Sequence, residues 1–200
     1  MQGFDNASFW DERYQTNIAL GSGAGSRGEF LLLKRRLLTQ LLRQFQPASI
    51  LDVGCGDIEV AQSLPFNGSY TGIDLSAVVI ERNRAIRPDW QFIQGEFVAI
   101  GRTAELQADL VLCLDVLIHQ HDKETYRAFV RALLDASRSV LVVNGFETLP
   151  RSGRLSPNVA FHEPLSHTLR ESGVTTMEAL AGMRRTGIFL VHASGESAAT

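Results

Sequence analysis

The chain has 200 residues, of which 44% are hydrophobic and 20% are charged, and its formal net charge is −3. This composition is typical of one folded domain and excludes a disordered tail or a fibrous repeat. The small negative charge argues against the basic field that drives non-specific binding to nucleic acids or anionic membranes. We therefore expect a single domain over residues 1–200 without a nucleic-acid partner.

Two cysteines, Cys55 and Cys113, are too few for a disulfide scaffold or a zinc cluster, so we expect reduced core thiols and no metal site. The longest apolar run, residues 109–118, is interrupted by Asp115 and is too short to cross a bilayer. The first residues lack the basic segment followed by an apolar one that marks a signal peptide. These features predict a cytoplasmic protein without a membrane segment, and they leave its oligomeric state open.

Residues 1–46 are predicted to form a helical segment ahead of the first strand. A short helix is expected at about Ser8 to Gln15, followed by the glycine- and serine-rich loop 21–28. A long amphipathic helix then runs to Phe45. It ends before Pro47, because proline disfavours the helical conformation in the residue that precedes it.

Short apolar runs rich in β-branched residues alternate with segments of helical spacing in residues 47–145. Runs without polar alternation predict strands buried on both faces, as in a parallel sheet covered by two layers of helices. We therefore expect a doubly wound α/β domain with right-handed crossovers. The predicted strands are 49–53, 69–74, 90–94, 109–114 and 139–143, and the predicted helices are 59–64, 76–86 and 123–136.

The remaining residues, 146–195, are predicted to supply a substrate-side loop and the strands that close the sheet. A loop with proline and glycine spans about 148–162, and a helix is expected at 164–172. Two extended runs, 174–181 and 186–192, flank a hairpin connection. The complete expectation is a mostly parallel sheet of seven strands whose last strand is antiparallel.

Polar residues or glycines follow four successive predicted strands. Asp52 ends the first strand and is followed by Gly54 and Gly56, and Asp74 ends the second strand. Ligands of open α/β sheets bind beyond the carboxyl ends of the strands, so these residues are expected to meet at one ligand. Glycines let backbone approach a ligand closely, and an acid at the second strand end can accept hydrogen bonds from both hydroxyls of a ribose. The pattern therefore predicts a nucleoside-shaped site.

This constellation resembles the class I S-adenosylmethionine (SAM)-dependent methyltransferases, which have a Rossmann-like fold, over about residues 49–143. The N-terminal segment resembles a subgroup whose lid has aromatic and arginine residues followed by glycine and serine. One departure is Ile58, which stands where the family usually has another glycine. The segments that resemble the first four family motifs are ILDVGCGD, YTGIDLS, FIQGEF and ADLVLCLDVLIHQ.

The resemblance implies SAM as the cofactor and assigns the first two motifs to its binding. Asp52, Gly54 and Gly56 would line the methionine and ribose, and Asp74 would bind the ribose hydroxyls. These assignments agree with what the residue types and their strand-end positions predict.

Later motifs and the lid supply the other contacts that the resemblance implies. Glu96 and Phe97 would flank the adenine, while Leu114 and Asp115 would lie beside the sulfonium. A lid arginine would pair with the methionine carboxylate. The remaining implied residues are Trp10, Arg13 or Arg27, Tyr14 and Ser26 in the lid, and Leu75 after the second strand.

Two histidines, His119 and His162, are the candidate general bases, because an unperturbed imidazole titrates near neutral pH. His119 follows the fourth strand, where related sequences often carry histidine, and His162 lies in the substrate-side loop. Each has a structural alternative, as a helix cap or a packing residue. The resemblance suggests a second His and Arg after His162, and Leu165 and Ser166 stand there instead.

Features that the sequence lacks narrow the chemical class of the methyl acceptor. No Asn-Pro-Pro-aromatic turn follows the fourth strand, neither cysteine has a Pro-Cys context, and no basic module is attached. We therefore expect methyl transfer to O or N of a small-molecule acceptor. The alternatives are a protein-directed methyltransferase and a non-catalytic module that binds the cofactor or a partner. An NAD-dependent oxidoreductase is disfavoured, because the third glycine of its fingerprint is missing.

Overall fold

The computed structural model describes residues 4–17, 19–101, 106–149 and 155–193. Its strands are β1 (Ser49–Val53), β2 (Ser69–Asp74), β3 (Gln91–Gln94), β4 (Ala108–Cys113), β5 (Ser137–Phe146), β6 (Met177–Met183) and β7 (Thr186–His192). They form one seven-stranded sheet in the order β3-β2-β1-β4-β5-β7-β6. β7 runs antiparallel to β5 and to β6. The predicted doubly wound, mostly parallel sheet with an antiparallel last strand is confirmed.

The chain divides into two compact units, of which the first is Met1–Phe97. Its helices are α1 (Asn6–Thr16), α2 (Gly28–Phe45) and α3 (Ala77–Ile86), together with a short 3-10 helix, Ala24–Ser26. Its three strands are parallel, with Asp52 opposite Gly72 and Asp74 opposite Gln94. This register places both acids at the carboxyl ends of neighbouring strands, as the sequence predicts.

The second unit is Val98–Thr200. The short helix α4 (Phe97–Gly101) begins one residue before it, and its other helices are α5 (Lys123–Ala136), α6 (Leu165–Glu171) and a 3-10 helix, Leu117–His119. β4 and β5 are parallel, with Cys113 opposite Val143. Consecutive residues of β4, β5 and β7 are buried, as expected for strands that are covered on both faces.

Side-chain caps begin three of the helices. Asp5, Ser76 and Asp122 each accept a hydrogen bond from a backbone amide in the first turn of α1, α3 and α5, respectively. A cap of this kind contributes about 1 kcal/mol to stability. These caps fix the start of each helix, and Ser76 does so two residues after Asp74, the acid that ends β2.

One predicted element, the helix at 59–64, is wrong. Ile58 has a φ of 50°, and the bonds from Gln62 N to Ile58 O and from Leu64 N to Ala61 O close separate turns. A helix is also disfavoured at Leu64, because Pro65 follows it. The boundaries of four strands also shift: β3 begins one residue later than predicted, β4 begins and ends one residue earlier, β5 extends the predicted strand at both ends, and β6 begins and ends later. Residues 150–154 of the predicted loop lie outside the described residues.

The described residues also bear on membranes and metals. None of their helices is long and apolar enough to cross a membrane. Within the same ranges, no group of three or more His, Cys, Asp or Glu side chains is arranged to hold a metal ion. Cys55 and Cys113 are both buried thiols.

Candidate functional site

The chain turns sharply after β1, in the glycine loop of residues 54–58. Gly54, Gly56 and Ile58 have φ values of 73°, 53° and 50°. Glycine adopts this left-handed conformation without steric cost, whereas another residue loses about 1–2 kcal/mol. Ile58 is 1% exposed, so burial of its side chain offsets that cost. The third left-handed position of the loop is therefore kept although no glycine occupies it.

Hydrogen bonds fasten the glycine loop to β2 and α3. The Gly54 amide donates to the Ile73 carbonyl at 2.7 Å. The Gly56 amide donates to Oδ2 of Asp74 at 3.0 Å, and Nδ2 of Asn83 donates to the Gly56 carbonyl at 2.7 Å. Asn83 is fully buried in α3. The loop is thus held on both sides of Gly56, independently of any ligand.

Two backbone amides orient the carboxylate of Asp74. Its Oδ1 accepts from the Ser76 amide at 2.9 Å and its Oδ2 from the Gly56 amide at 3.0 Å. Burial raises the pKa of Asp74 to about 6, against the lowering effect of these two hydrogen bonds. Each carboxylate oxygen can accept more than one hydrogen bond. The group therefore has the orientation and the acceptor capacity that two neighbouring hydroxyls require.

Asp52 is a second buried acid, at the end of β1. It is 8% exposed, and its Oδ2 accepts a hydrogen bond from Oη of Tyr70 at 2.7 Å. Burial raises the pKa of Asp52 to about 6, while the Tyr70 bond and the charge of Lys34 lower it. The charge of Asp74 raises this pKa further. The carboxylates of Asp52 and Asp74 thus place two negative charges at neighbouring strand ends. Burial of each charge destabilises the folded protein when no ligand compensates it.

Asp57 fastens the lid to the glycine loop through Ser22 and Arg27, and we call these three residues the Asp57 latch. Asp57 accepts from Oγ of Ser22 at 2.8 Å and from Nη2 of Arg27 at 2.5 Å. Burial acts to raise the pKa of Asp57, but the bonds from Arg27 and Ser22 hold it below its ordinary value. A Cβ at Gly21 would lie 2.1 Å from Oδ2 of Asp57, so this approach requires glycine.

Helix α1 also packs on the ends of β1 and β2. Oγ of Ser76 donates to Oδ1 of Asp11 at 2.5 Å, and Oη of Tyr14 lies 3.0 Å from Oγ of Ser22. A Cβ at Gly56 would lie 2.2 Å from Oγ of Ser22 and 3.0 Å from Oη of Tyr14. Burial raises the pKa of Tyr14 well above its ordinary value. The lid therefore covers Gly56 directly.

Among the other predicted lid residues, Arg13 lies between the Gly21 backbone and the Trp10 ring. Its Nε donates to the Gly21 carbonyl at 2.8 Å, and its guanidinium lies 5.2 Å from the centre of the Trp10 ring. The Trp10 ring is in turn 5.8 Å from that of Tyr14. Ser26 is buried at the end of the 3-10 helix. Of the two arginines considered for a carboxylate, Arg27 is engaged by Asp57, whereas Arg13 donates to a backbone carbonyl.

The residues predicted for the adenine end lie beyond β2 and β3. The Leu75 carbonyl accepts from Nε2 of Gln94 at 3.0 Å, which ties the ends of the two strands together. Glu96 is exposed, whereas Phe97 is 3% exposed at the start of α4. The acid and the ring are adjacent in the chain and differ in their access to solvent.

In the second unit, the end of β4 carries Leu114 and Asp115. Asp115 has a φ of 63°. Its amide donates to Oδ1 of Asn144, and Nδ2 of Asn144 donates back to its Oδ1 at 2.7 Å. Asn144 lies in β5 and is fully buried. Asn144 therefore bonds both to the backbone and to the carboxylate of the acid at this strand end.

His119 and His162 each bond to a backbone carbonyl. Nδ1 of His119 is 2.5 Å from the Asn158 carbonyl, and Nε2 of His162 is 2.8 Å from the Gln120 carbonyl. Because a carbonyl only accepts, these two ring nitrogens carry a proton. The basic nitrogen of the neutral ring is therefore Nε2 in His119 and Nδ1 in His162.

The loop that carries His162 is anchored to α5 by Glu163. This carboxylate accepts from Nε and Nη2 of Arg127, both at 2.9 Å, and pairs with Lys123 at 3.0 Å. The bonds from Arg127 lower the pKa of Glu163 to about 2. Such a paired carboxylate fixes the backbone next to His162.

Residues 50–139 match the model of a family described as a methyltransferase domain. This range contains the glycine loop, both buried acids of the first unit and the end of β4. This part of the chain is therefore similar to methyltransferase domains, which agrees with the resemblance to class I SAM-dependent methyltransferases seen in the sequence. No curated protein matches the chain.

Solved structures of similar fold include three methyltransferases or related domains. Magnesium protoporphyrin IX methyltransferase from Synechocystis, with bound S-adenosylhomocysteine (SAH), is 16% identical with a TM-score of 0.63, covering 95% of this chain and 100% of that one. A putative O-methyltransferase from Nostoc punctiforme is 18% identical (TM-score 0.60; 92% and 59% covered). The N-terminal domain of EvdMO1, crystallised in the presence of SAH and D-fucose, is 14% identical (TM-score 0.55; 80% and 82% covered). At these identities, the likeness concerns the fold.

Sequence reasoning missed the residues that hold the predicted ones in place. Ser22, Tyr70, Asn83 and Asn144 are polar residues within otherwise ordinary loops, strands and helices, and no spacing rule marks them. Asp57 differs from these residues, because its place directly after Gly56, within the glycine loop, is visible in the sequence.

Proposed function

We propose that the protein transfers the methyl group of SAM to O or N of a small-molecule acceptor in the cytoplasm. The observation that carries the proposal is the arrangement at the end of β2. There, the Gly56 amide donates to the buried Asp74 carboxylate at 3.0 Å, which orients this acid beside the glycine loop. An acid held in this way suits the ribose hydroxyls of an adenosyl group.

The residues of the first unit fit the cofactor that the family uses. Asp74 accepts from the ribose hydroxyls, and the left-handed loop at Gly54 and Gly56 lets the methionine part approach the backbone. Arg13 pairs with the methionine carboxylate, since Arg27 already bonds to Asp57. The remaining contacts follow the resemblance: Trp10, Tyr14 and Ser26 in the lid, Asp52 and Leu75 near the ribose, Glu96 and Phe97 at the adenine, and Leu114 and Asp115 at the sulfonium.

When bound, SAM supplies a methyl group that is already activated by its sulfonium. The protein then needs mainly to align an acceptor with the sulfur–methyl bond and to exclude water. Alignment is worth about 7–11 kcal/mol of the barrier. A positioned base adds about two to four powers of ten, and only for an acceptor that must lose a proton.

His119 is the proposed base for an acceptor of that kind. Its Nδ1 is protonated by its bond to the Asn158 carbonyl, which leaves Nε2 to receive a proton. His162 is the second candidate, with Nδ1 as its basic nitrogen. The small-molecule class is supported by the negative net charge and by the EvdMO1 domain, which was crystallised in the presence of D-fucose.

Calorimetry with SAM, SAH and NAD tests the cofactor assignment. SAM and SAH are expected to bind and NAD is not. Absence of both SAM and SAH binding, with NAD binding, would overturn the proposal. Metabolite extracts incubated with methyl-labelled SAM then identify the acceptor by the label that it gains.

The same labelled assay tests the base. For an acceptor that must lose a proton, His119→Ala is expected to lower the turnover rate by a factor of about 10²–10⁴. His162→Ala is the parallel variant. Full turnover in both variants on an identified acceptor would show that neither histidine is the base. Binding of SAH should be unchanged in both, which separates a lost base from a damaged cofactor site.

A further inference from the structure

The acid at the end of β4 adopts a backbone conformation that its own residue type does not secure. Asp115 has a φ of 63°, in the left-handed region that favours glycine. Aspartate enters this region more readily than most residues, yet it normally does so with a local hydrogen-bonding partner. Here the partner comes from another strand, because both polar atoms of the Asn144 amide bond to Asp115.

The two bonds have opposite directions and therefore define how the amide is oriented. Oδ1 of Asn144 accepts from the backbone amide of Asp115, while Nδ2 donates to a carboxylate oxygen of the same residue. A flipped amide would face one donor with a donor and one acceptor with an acceptor. Asn144 is fully buried, so its amide is satisfied by these protein groups rather than by solvent.

The surroundings keep Asn144 in place. It follows Val143, which lies opposite Cys113 in the parallel pair of β4 and β5, and it pairs with Ile188 of β7 on its other side. A Cβ at the next residue, Gly145, would meet Leu165 at 3.1 Å, so α6 packs closely at this point. Because the strand around Asn144 is confined on these sides, its amide can fix the position of the residues at the end of β4.

We propose that Asn144 is a positioning residue for methyl transfer, which holds Asp115 in its left-handed conformation and thereby directs the Asp115 carboxylate. The inference rests on the proposed function, in which Asp115 lies at the sulfonium end of the cofactor. SAM carries a positive charge at its sulfur and SAH does not, so a correctly directed carboxylate favours SAM over SAH. Asn144 therefore contributes to the preference for the charged donor without touching it.

The first test replaces the amide by an apolar group of similar size, in Asn144→Leu. Dissociation constants for SAM and SAH are measured by calorimetry on the full chain. We expect the SAM constant to rise about tenfold (about 1.4 kcal/mol) and the SAH constant to rise less, so that their ratio changes. Equal effects on both ligands, or none, would overturn the positioning role. If the wild-type chain binds neither ligand, the proposed function fails instead.

The second test asks whether the left-handed backbone is what Asn144 secures. Glycine takes this conformation without help, so Asn144→Leu should have a much smaller effect in an Asp115→Gly background. The four proteins of this cycle are compared by SAH affinity and by urea unfolding, which remains measurable where SAM binding is lost. An undiminished effect of Asn144→Leu in the glycine background would mean that Asn144 only fills the core.

Discussion

The two strand-end acids, Asp74 and Asp115, are held by different means. Asp74 receives backbone amides from Gly56 and Ser76, both close to it in its own unit. Asp115 receives one side chain, Asn144, that lies on the neighbouring strand. The first arrangement uses backbone N–H groups, which every residue type except proline provides, and the second uses the side chain of one residue type at one position.

This difference sets the tolerance of each acid to substitution around it. Replacing Ser76 would leave its backbone amide in place, so Asp74 should keep its orientation when neighbouring side chains change. Asp115 loses both bonds to the Asn144 amide whenever Asn144 is replaced by an apolar residue. We therefore expect Asp74, which the proposed function assigns to the ribose, to be less sensitive to neighbouring substitutions than Asp115.

The largest effect is expected for Asp74→Ala. Two hydrogen bonds between a carboxylate and ribose hydroxyls contribute about 1.5–3 kcal/mol each, so SAH affinity should fall by about 100-fold or more. Asp115→Ala should weaken SAH binding far less, because SAH has no charged sulfur. Calorimetry with SAH on both variants checks the contrast.

Asp89→Ala serves as the matched control for this pair of variants, since Asp89 is exposed and pairs with Arg87 away from the glycine loop. It should bind SAH like the wild type. Unchanged SAH affinity in Asp74→Ala would remove the ribose assignment.

The next effect concerns pH and the buried acids of the first unit. Burial raises the pKa of Asp52 from 3.8 to about 6, so the folded protein binds this proton more tightly than the unfolded chain. The protonated Asp52 therefore stabilises the folded protein fully below pH 3.8, and this stabilisation is lost as the pH rises through about 6. Its full size is about 3 kcal/mol, for roughly two pKa units.

Asp52→Asn removes this penalty at neutral pH. Urea unfolding of the ligand-free protein should show that the variant gains stability relative to wild type as pH rises from about 4 to 7. Asp89→Asn, at an exposed site, should show no such gain. A difference between Asp52→Asn and wild type that does not change with pH would contradict the buried-charge explanation.

A smaller effect is expected for the Asp57 latch. Asp57→Asn keeps the shape of the side chain but weakens its bond to Arg27, whose side chain is 30% exposed. We expect about tenfold faster release of SAH, measured by stopped-flow fluorescence, and faster trypsin cleavage at Arg27. Asp89→Asn removes a comparable pair with Arg87, 2.6 Å apart, and should leave both rates unchanged.

The sequence was sufficient for the elements that depend on local patterns. Continuous apolar runs located β1, β2 and β7 at their observed ends, and strand-end acids located Asp52 and Asp74. It was insufficient where a contact joins residues far apart in the chain. Ser22 and Asp57 are 35 positions apart, and Asp115 and Asn144 are 29 apart, and no periodicity in the sequence relates these partners.

Ile58 is a single position at which the sequence pattern was also insufficient. Its substitution gives the smallest effect predicted here, a difference in stability between two variants. Sequence comparison marks it as a missing glycine, while its φ of 50° shows that the conformation is kept by burial. Both Ile58→Ala and Ile58→Gly lose the buried side chain, but only alanine retains the left-handed strain of about 1–2 kcal/mol. Ile58→Gly should therefore be the more stable of the two by about 1 kcal/mol in urea unfolding, after the opposing chain-entropy cost of glycine.

At Ile73, within β2, the order should reverse, because an extended backbone favours alanine. Equal stabilities of the two Ile58 variants would mean that this loop position does not need left-handed backbone, and that the third glycine of the family is dispensable here for another reason.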